Sequence, residues 1–246
     1  MINVVKTKVS VVGIISHSDG VFTVELKPEK KMPRFKSGQF LHLALDEYDA
    51  HGGFWPDSRV FSIASGCEEE TITLVYSVKG SFTSRMSKEL FIGKQLWIKL
   101  PFGDFTIERS EQEDLILLAG GTGVAPFIPY LQDELHASSG RKILFVYGVR
   151  KSGHILFSPV LNEALMHLPN FDLMIFNELG DADEIKFFKK INSDNGYIDN
   201  QKVFEKSCAM RNPLFFISGP PTMIRATKQH LVANGVKEDR IKIDNW

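Results

Sequence analysis

The sequence is poor in cysteine. Its 246 residues contain only Cys67 and Cys208, which lie far apart and form no C-x-x-C pair. Two cysteines are too few for a four-cysteine iron–sulfur cluster, and the absence of closely spaced pairs argues against a cysteine metal site. We therefore expect a chain without a cluster of its own, kept in a reducing compartment such as the cytoplasm.

Long apolar runs and a charge excess are also missing. No apolar stretch approaches the roughly 20 residues that cross a bilayer, and the first residues lead into an alternating strand pattern rather than a signal peptide. The formal net charge is -1, from 29 basic and 30 acidic residues. The basic residues are spread along the chain, so we expect neither a nucleic-acid surface nor a membrane span.

The first part of the chain reads as β-structure. Short runs rich in β-branched and aromatic residues alternate with turns, and one helical stretch interrupts them near residues 81–90. Six such strands predict a small antiparallel barrel. The polar loop 46–57 carries an aromatic tip and is expected to be a surface loop held by its own aromatic residues. The predicted strands are 4–15, 20–26, 39–45, 58–65, 71–78 and 95–100.

From Leu115 the pattern changes to alternating strands and helices, which is typical of a parallel sheet in an α/β domain. The charged run 108–114 separates the two patterns, so we predict a barrel domain at 1–110 and an α/β domain at 111–246. The predicted strands are 115–119, 142–147, 172–176, 214–217 and 240–243, and the predicted helices are 126–136, 158–166, 202–206 and 221–234.

A glycine turn opens the second domain. Gly120-Gly121-Thr122-Gly123 follows the apolar run 115–119 and precedes a helical pattern that contains Pro126. Strand, glycine turn and helix together aim backbone N–H groups at a phosphate. The spacing is that of a dinucleotide fingerprint with proline in place of its last glycine. A tight turn without any ligand is the alternative.

Four short segments together resemble the ferredoxin–NADP reductase superfamily of flavoenzymes. They are Arg59-Val60-Phe61-Ser62, Gly80-Ser81-Phe82-Thr83, the run from Gly120 to Pro126, and Ser218-Gly219-Pro220-Pro221. Their order and spacing match over essentially the whole chain. The resemblance implies an FAD-binding barrel followed by an NAD(P)H-binding domain. It also implies hydride transfer to flavin N5 and a separate acceptor: a ferredoxin, a flavodoxin, an oxygenase component, free flavin or a quinone.

The resemblance assigns roles to residues of the barrel. Arg59 would bind the flavin phosphate, for which a guanidinium is well suited. Phe61 stands where the family usually has tyrosine and would lie against the isoalloxazine, while Ser62 would lie near N5. The segment 80–83 would hold the flavin phosphates. A simple helix cap formed by Ser81 or Thr83 is compatible with that role.

In the second domain the resemblance assigns Gly121, Thr122 and Gly123 to the pyrophosphate of the nicotinamide nucleotide. Ser218, which takes the place often held by cysteine, would face the nicotinamide together with Gly219 and Pro220. Trp246 would either stack on the flavin or be a frayed terminus. Ser62, Ser218 and Trp246 are thus the predicted catalytic residues.

The choice of nucleotide depends on charge. Arg150 and Lys151 follow the second strand of the α/β domain and could bind a 2′-phosphate, whereas Glu178 follows the third strand. A carboxylate about 4 Å from a phosphate charge costs up to about 4 kcal/mol at an effective dielectric constant near 20. Glu178 can instead accept a hydrogen bond from a 2′-hydroxyl, which favours NADH.

Three other functions remain compatible with the sequence. The chain could be a flavin reductase that uses free flavin as its substrate, or an electron-transfer subunit of a larger complex. It could also have lost flavin and bind another ligand, although Arg59, Ser62 and Thr83 argue against that reading.

Overall fold

The computed structural model describes residues 4–17, 19–49, 51–108, 113–137, 139–180, 188 and 192–244. The chain divides into two compact units. The first contains Met1–Ile107 and Ala125–Tyr130, and the second contains Glu108–Val124 and Leu131–Trp246. The predicted boundary between residues 110 and 111 falls in 109–112, which lie outside the described residues.

The first unit is a six-stranded antiparallel sheet that curves into a nearly closed barrel, as the sequence predicts. Its strand order is β4-β3-β6-β1-β2-β5. The edge strands β4 and β5 approach each other, and the Ala64 N–H following β4 donates to Thr73 O of β5 at 2.9 Å. The elements are β1 Val5–Ser16, β2 Val21–Pro28, β3 Phe40–Ala44, β4 Ser58–Ser62, β5 Ile72–Ser77, α1 Ser81–Glu89 and β6 Gln95–Phe102.

Alternation along the strands forms the barrel core. In β1, for example, Val9 and Val11 are buried, whereas the residue between them is only partly so. A period of two places such side chains on one face of the sheet, where burial of apolar area stabilises the fold. Helix α1 contributes Phe82 and Met86 to the same core, one helical turn apart. The core thus fixes the position at which α1 begins.

The loop between β3 and β4 is held by its aromatic residues, as predicted. The Tyr48 and Trp55 rings lie 5.3 Å apart between centroids, and Tyr48 meets Trp97 of β6 edge-on at 5.2 Å. Residue 50 of this loop lies outside the described residues. The loop is therefore anchored to the outer side of the barrel.

The second unit contains a six-stranded parallel sheet with strand order β10-β9-β8-β7-β11-β12, which confirms the predicted α/β class. Every residue of β7 is buried, as expected of a strand covered on both faces. The elements that follow the barrel are β7 Leu115–Gly120, α2 Ile128–His136, β8 Ile143–Val149, α3 Ser158–His167, β9 Phe171–Asn177, β10 Asn192–Asn195, α4 Asn200–Ser207, β11 Leu214–Ser218, α5 Pro221–Ala233 and β12 Ile241–Ile243. The first three residues of α2 belong to the first unit.

Two elements differ from the prediction. Strand β10, whose sequence is Asn-Ser-Asp-Asn, was not predicted because it is polar; it lies at the sheet edge and pairs with β9 alone. In addition, Gly121–Phe127 forms a 3₁₀ helix that contains Pro126, so α2 starts at Ile128 rather than at Pro126. Pro129 is then the second residue of α2, where a missing N–H breaks no helical hydrogen bond.

Within the described ranges, no helix is long and apolar enough to cross a membrane. The longest α-helix there, α5, has 13 residues.

Candidate functional site

The strands of the second unit end at a pocket. The ends of β7, β8 and β11 lie in register, with Ala119 opposite both Tyr147 and Ser218. A pocket of about 540 Å³ opens at this edge. Its lining includes residues that follow four of the parallel strands: Gly121 after β7, Arg150 after β8, Glu178 after β9 and Pro220 after β11. The carboxyl edge of a parallel sheet is where such folds bind ligands.

The glycines at this edge serve different purposes. Gly121 has φ +54 and open space where a Cβ would stand, and it lines the pocket. Gly123 instead lies against the end of β11, because a Cβ there would be 2.4 Å from Ser218 O. Gly219 has φ +151, and its Cβ would be 2.9 Å from Gly120 Cα. Gly123 and Gly219 therefore allow two turns to touch, while Gly121 leaves the pocket open.

Ser218 is joined to a carboxylate. Its hydroxyl donates to Asp244 Oδ2 at 2.8 Å, and both residues are buried. The Asp244 N–H donates to Ile217 O at 2.9 Å, which fixes the position of the acid. The Ser218 hydroxyl proton is thus directed to Asp244, and its lone pairs are left to accept. Trp246, the third predicted catalytic residue, lies outside the described residues.

The pocket rim carries opposite charges. Arg150 and Glu178 both line it, and the Tyr197 hydroxyl donates to Glu178 Oε1 at 3.0 Å. This hydrogen bond raises the pKa of Tyr197. The negative charge of Glu178 raises that pKa further, whereas the positive charge of Arg150 lowers it. The Glu178 N–H also donates to Val149 O at 3.0 Å, which ties the β9 end to the β8 end. The rim therefore offers a fixed carboxylate and a guanidinium to one ligand.

In the first unit, Arg59 lies over the first turn of α1. Its guanidinium carbon is 5.3 Å from the centroid of the Phe82 ring. Its Nη1 donates to Asp57 Oδ1 and to Ser58 O, both at 2.8 Å, and its side chain is 52% exposed. Remaining donors of the guanidinium are accessible to an anion. Thus β4 brings Arg59 to the helix start that the sequence analysis assigns to the same ligand.

The other residues of β4 alternate across the sheet. Phe61 is buried, and its ring lies 6.5 Å from the rings of Phe82 and Tyr76. Val60 pairs with His42 of β3, and Ser62 pairs with Phe40 at the strand end. Phe61 therefore belongs to the barrel core, while Ser62 is only partly buried.

The N-terminus of α1 is capped from within. Gly80 is the N-cap residue, and the Thr83 hydroxyl oxygen accepts from the Lys79 and Gly80 N–H groups at 2.9 and 3.2 Å. The N–H groups of Ser81 and Phe82, in the first turn, have no acceptor within the helix. A Cβ at Gly80 would meet nothing within 4 Å. Thr83 therefore orders a helix start at which Gly80 has open space beside its Cα.

Three residues of this arrangement were not singled out from the sequence: Tyr147, Tyr197 and Asp244. Tyr147 falls in a predicted strand and Asp244 follows one, but nothing in the pattern shows that their polar atoms meet distant turns. Tyr197 follows the unpredicted strand β10. Among the described residues, no group of three or more His, Cys, Asp or Glu side chains is arranged to hold a metal ion.

These features define a class: an antiparallel barrel unit followed by a parallel-sheet unit with a pocket at the carboxyl ends of its strands. Residues 117–229 match the family model described as "Oxidoreductase NAD-binding domain". The match runs from within β7 to within α5.

The chain is similar to known proteins over most of its length. The chain is 25% identical over 203 residues to a flavohemoprotein of Bacillus subtilis, covering 82% of this chain and 49% of the relative. It is 26% identical over 239 residues to the reductase component of phenol 2-monooxygenase from Pseudomonas sp., covering 95% and 63%. The chain thus spans about half to two thirds of these two relatives.

A solved structure shares the fold over nearly its full length. The ferredoxin NADP⁺ reductase of Neisseria gonorrhoeae, determined with bound FAD and NADP, superposes with a TM-score of 0.76 at 18% identity. The match covers 98% of each chain.

Proposed function

We propose that this chain is an NAD(P)H-dependent flavoprotein reductase that binds FAD on its barrel unit and the nicotinamide nucleotide on its α/β unit. FAD, when bound, would supply the chemistry by accepting a hydride at N5 and releasing electrons to a separate acceptor. The observation that carries the proposal is the pair of sites suited to phosphates, one on each unit, in a chain whose residues 117–229 match an oxidoreductase NAD-binding domain.

The barrel residues fit a flavin nucleotide. Arg59 supplies an exposed guanidinium, and charge-assisted hydrogen bonds of that kind stabilise by about 1.5–3 kcal/mol. Ser81 and Phe82 supply N–H groups at the start of a helix, where an anion is favoured. We assign Gly80 and Thr83 to the same cradle, and Val60 and Ser62 to the side that faces the ring system. The Phe61 ring is buried in the barrel core, so Phe61 would contribute only its backbone there.

The pocket of the second unit fits a dinucleotide. Gly121, Thr122 and Gly123 would hold the pyrophosphate, because a glycine turn leads there into a helical segment. Ser218, Gly219 and Pro220 would lie at the nicotinamide. There the Ser218 hydroxyl, held by Asp244, would keep one orientation and accept rather than donate a hydrogen bond. Trp246 remains a proposed stacking residue.

We further propose NADH as the preferred nucleotide. Glu178 is held by Tyr197 beside Arg150 on the pocket rim. One oxygen of Glu178 accepts from Tyr197, which leaves the other to accept from a ribose hydroxyl. The same carboxylate repels a 2′-phosphate, and the attraction of that phosphate to Arg150 would be offset.

The acceptor is proposed to be separate, with an oxygenase component favoured. The phenol 2-monooxygenase relative is named as a reductase component, and the chain spans 63% of it. The alternative is a reductase that uses free flavin as its substrate. Purification distinguishes the two functions, because only a protein that holds FAD as a cofactor is expected to be purified with it.

The test is the visible spectrum of the purified protein, followed by anaerobic titration with NADH and NADPH. We expect the purified protein to contain bound FAD, and NADH to bleach the flavin absorbance faster than NADPH does. Arg59→Ala should weaken FAD binding at least tenfold, since losing a charged hydrogen bond costs about 1.4 kcal/mol or more. Arg34→Ala is the matched control, because Arg34 lies on the same unit with its side chain 90% exposed.

Three outcomes would contradict parts of the proposal. A colourless protein that never binds FAD would overturn it, whereas a colourless protein that turns over added flavin would favour the flavin-reductase alternative. A strong NADPH preference that Arg150→Ala abolishes and Glu178→Arg does not change would overturn the choice of NADH.

A further inference from the structure

Tyr147 of β8 is a fully buried tyrosine that the proposed function leaves without a role. Its hydroxyl lies 3.1 Å from Gly121 O, 3.3 Å from His154 O and 3.3 Å from Leu156 N. The Leu156 N–H donates to the hydroxyl oxygen, and the hydroxyl proton points to the two carbonyls. Tyr147 therefore connects the glycine turn after β7 to the segment that follows Arg150.

The hydroxyl is a permanent donor. Burial raises the pKa of Tyr147 well above its ordinary value, so the proton is retained across the physiological range. The nearer of the two carbonyls belongs to Gly121. A buried hydroxyl without such partners would be costly, so these contacts hold the turn as well as the tyrosine.

The position of the Gly121 carbonyl determines where the next N–H points. A trans peptide is planar, and its C=O and N–H groups point in opposite directions. The Gly121 carbonyl is directed inward to a buried hydroxyl, so the Thr122 N–H is directed away from the interior. Gly121 can take this orientation because it is a glycine at φ +54 with open space beside it.

We propose that Tyr147 is a positioning residue for pyrophosphate binding: it holds the Gly121–Thr122 peptide so that the Thr122 N–H faces the ligand. This inference rests on the proposed binding of a nicotinamide nucleotide to the second unit. It assigns a role to a side chain that touches the turn, not the ligand.

The test compares ligands with and without a pyrophosphate on Tyr147→Phe, which removes one oxygen and keeps the ring. We expect the Kd of the FAD-loaded protein for ADP-ribose and the KM for NADH to rise about 3- to 10-fold, the effect of one hydrogen bond. Adenosine affinity and kcat should stay unchanged. Ser207→Ala is the matched control, because it removes another buried hydroxyl, bonded to Phe204 O at 2.6 Å, elsewhere in the second unit.

Each result decides the question. Equal loss of adenosine and ADP-ribose binding in Tyr147→Phe would indicate general damage to the pocket and overturn the inference, as would unchanged ADP-ribose binding. In the wild-type protein the Thr122 amide resonance should shift with ADP-ribose but not with adenosine, and a resonance that does not shift overturns the inference whether or not the variant folds. If the wild-type protein binds neither NADH nor ADP-ribose, the proposed nucleotide binding itself fails.

Discussion

Neighbouring glycines at the pocket edge are required for unlike reasons. Gly121 takes a left-handed conformation beside open space, whereas Gly123 lies against the backbone of the β11 turn. The sequence pattern indicates a phosphate-binding turn but does not distinguish these two roles, because both residues occupy the same short motif. Only the approach of β11, a strand about a hundred residues further along the chain, separates them.

Gly123→Ala should therefore destabilise the fold more than Gly121→Ala. The Cβ at residue 123 would meet Ser218 O at 2.4 Å and Gly219 N at 2.6 Å, both backbone atoms that no side-chain rotation can move. We expect Gly123→Ala to lower the free energy of unfolding by about 3 kcal/mol. Gly121→Ala should lower it by about 1 kcal/mol, because its only cost is an alanine in the left-handed conformation. Urea unfolding measures both, and equal losses would contradict the packing argument.

At the scale of elements, α1 is tied to the loop after β3 by charge. Arg85 donates to both Asp46 oxygens, at 2.7 and 3.1 Å, and to Glu89 Oε1 at 2.8 Å. The hydrogen bonds from Arg85 lower the pKa of Asp46 and of Glu89 from their ordinary values of 3.8 and 4.5. The Asp46 side chain is exposed and that of Glu89 is partly exposed, so solvent screens both and their contribution to stability is small.

This network predicts a pH-dependent effect of Arg85→Met. A carboxyl with a lowered pKa in the folded state stabilises above its unfolded value and loses that contribution as the pH falls through its folded value. The urea midpoint of Arg85→Met should lie slightly below wild type at neutral pH, and the difference should shrink as the pH falls below the ordinary pKa values of 3.8 and 4.5. Lys88→Met, on an exposed face of the same helix, is the control. A difference that persists in acid would show that Arg85 acts through packing.

Most elements are predictable because local periodicity encodes them. The alternation of β1 and the apolar run of β7 are examples, and both appear within one or two residues of the predicted bounds. Strand β10 is not predictable in this way, because its polar sequence is permitted only by its place at the sheet edge. The hydrogen bonds of Tyr147 to Gly121 and of Ser218 to Asp244 each join residues 26 positions apart, which no local pattern records.

At the scale of the whole molecule, each compact unit has its own candidate ligand. We expect FAD to slow amide hydrogen exchange at β4 and the start of α1, and NADH to slow it at residues 120–123 and 148–151. A ligand that binds only the folded form stabilises by RT ln(1 + [L]/Kd), about 2.7 kcal/mol at a hundredfold excess over Kd. Hydrogen exchange with mass spectrometry measures the protection of each segment. ADP-ribose, which carries no nicotinamide, should protect residues 120–123 and 148–151 but not β4 or the start of α1. FAD protection confined to residues 120–123 would contradict the assignment of ligands to units.

The contact between the turns after β7 and β11 also constrains how this pocket can be redesigned. Side chains at Gly120, Gly123 or Gly219 would collide with the opposite turn or with Pro220 and Met223. Mutations at these positions are therefore not independent, and most variants that combine them will fail to fold. Arg150, Glu178 and Tyr197 lie on the rim and carry no such restriction. A mutant library designed to change cofactor preference should therefore keep these glycines and vary Arg150, Glu178 and Tyr197. Substitutions at the rim can alter ligand recognition without preventing folding.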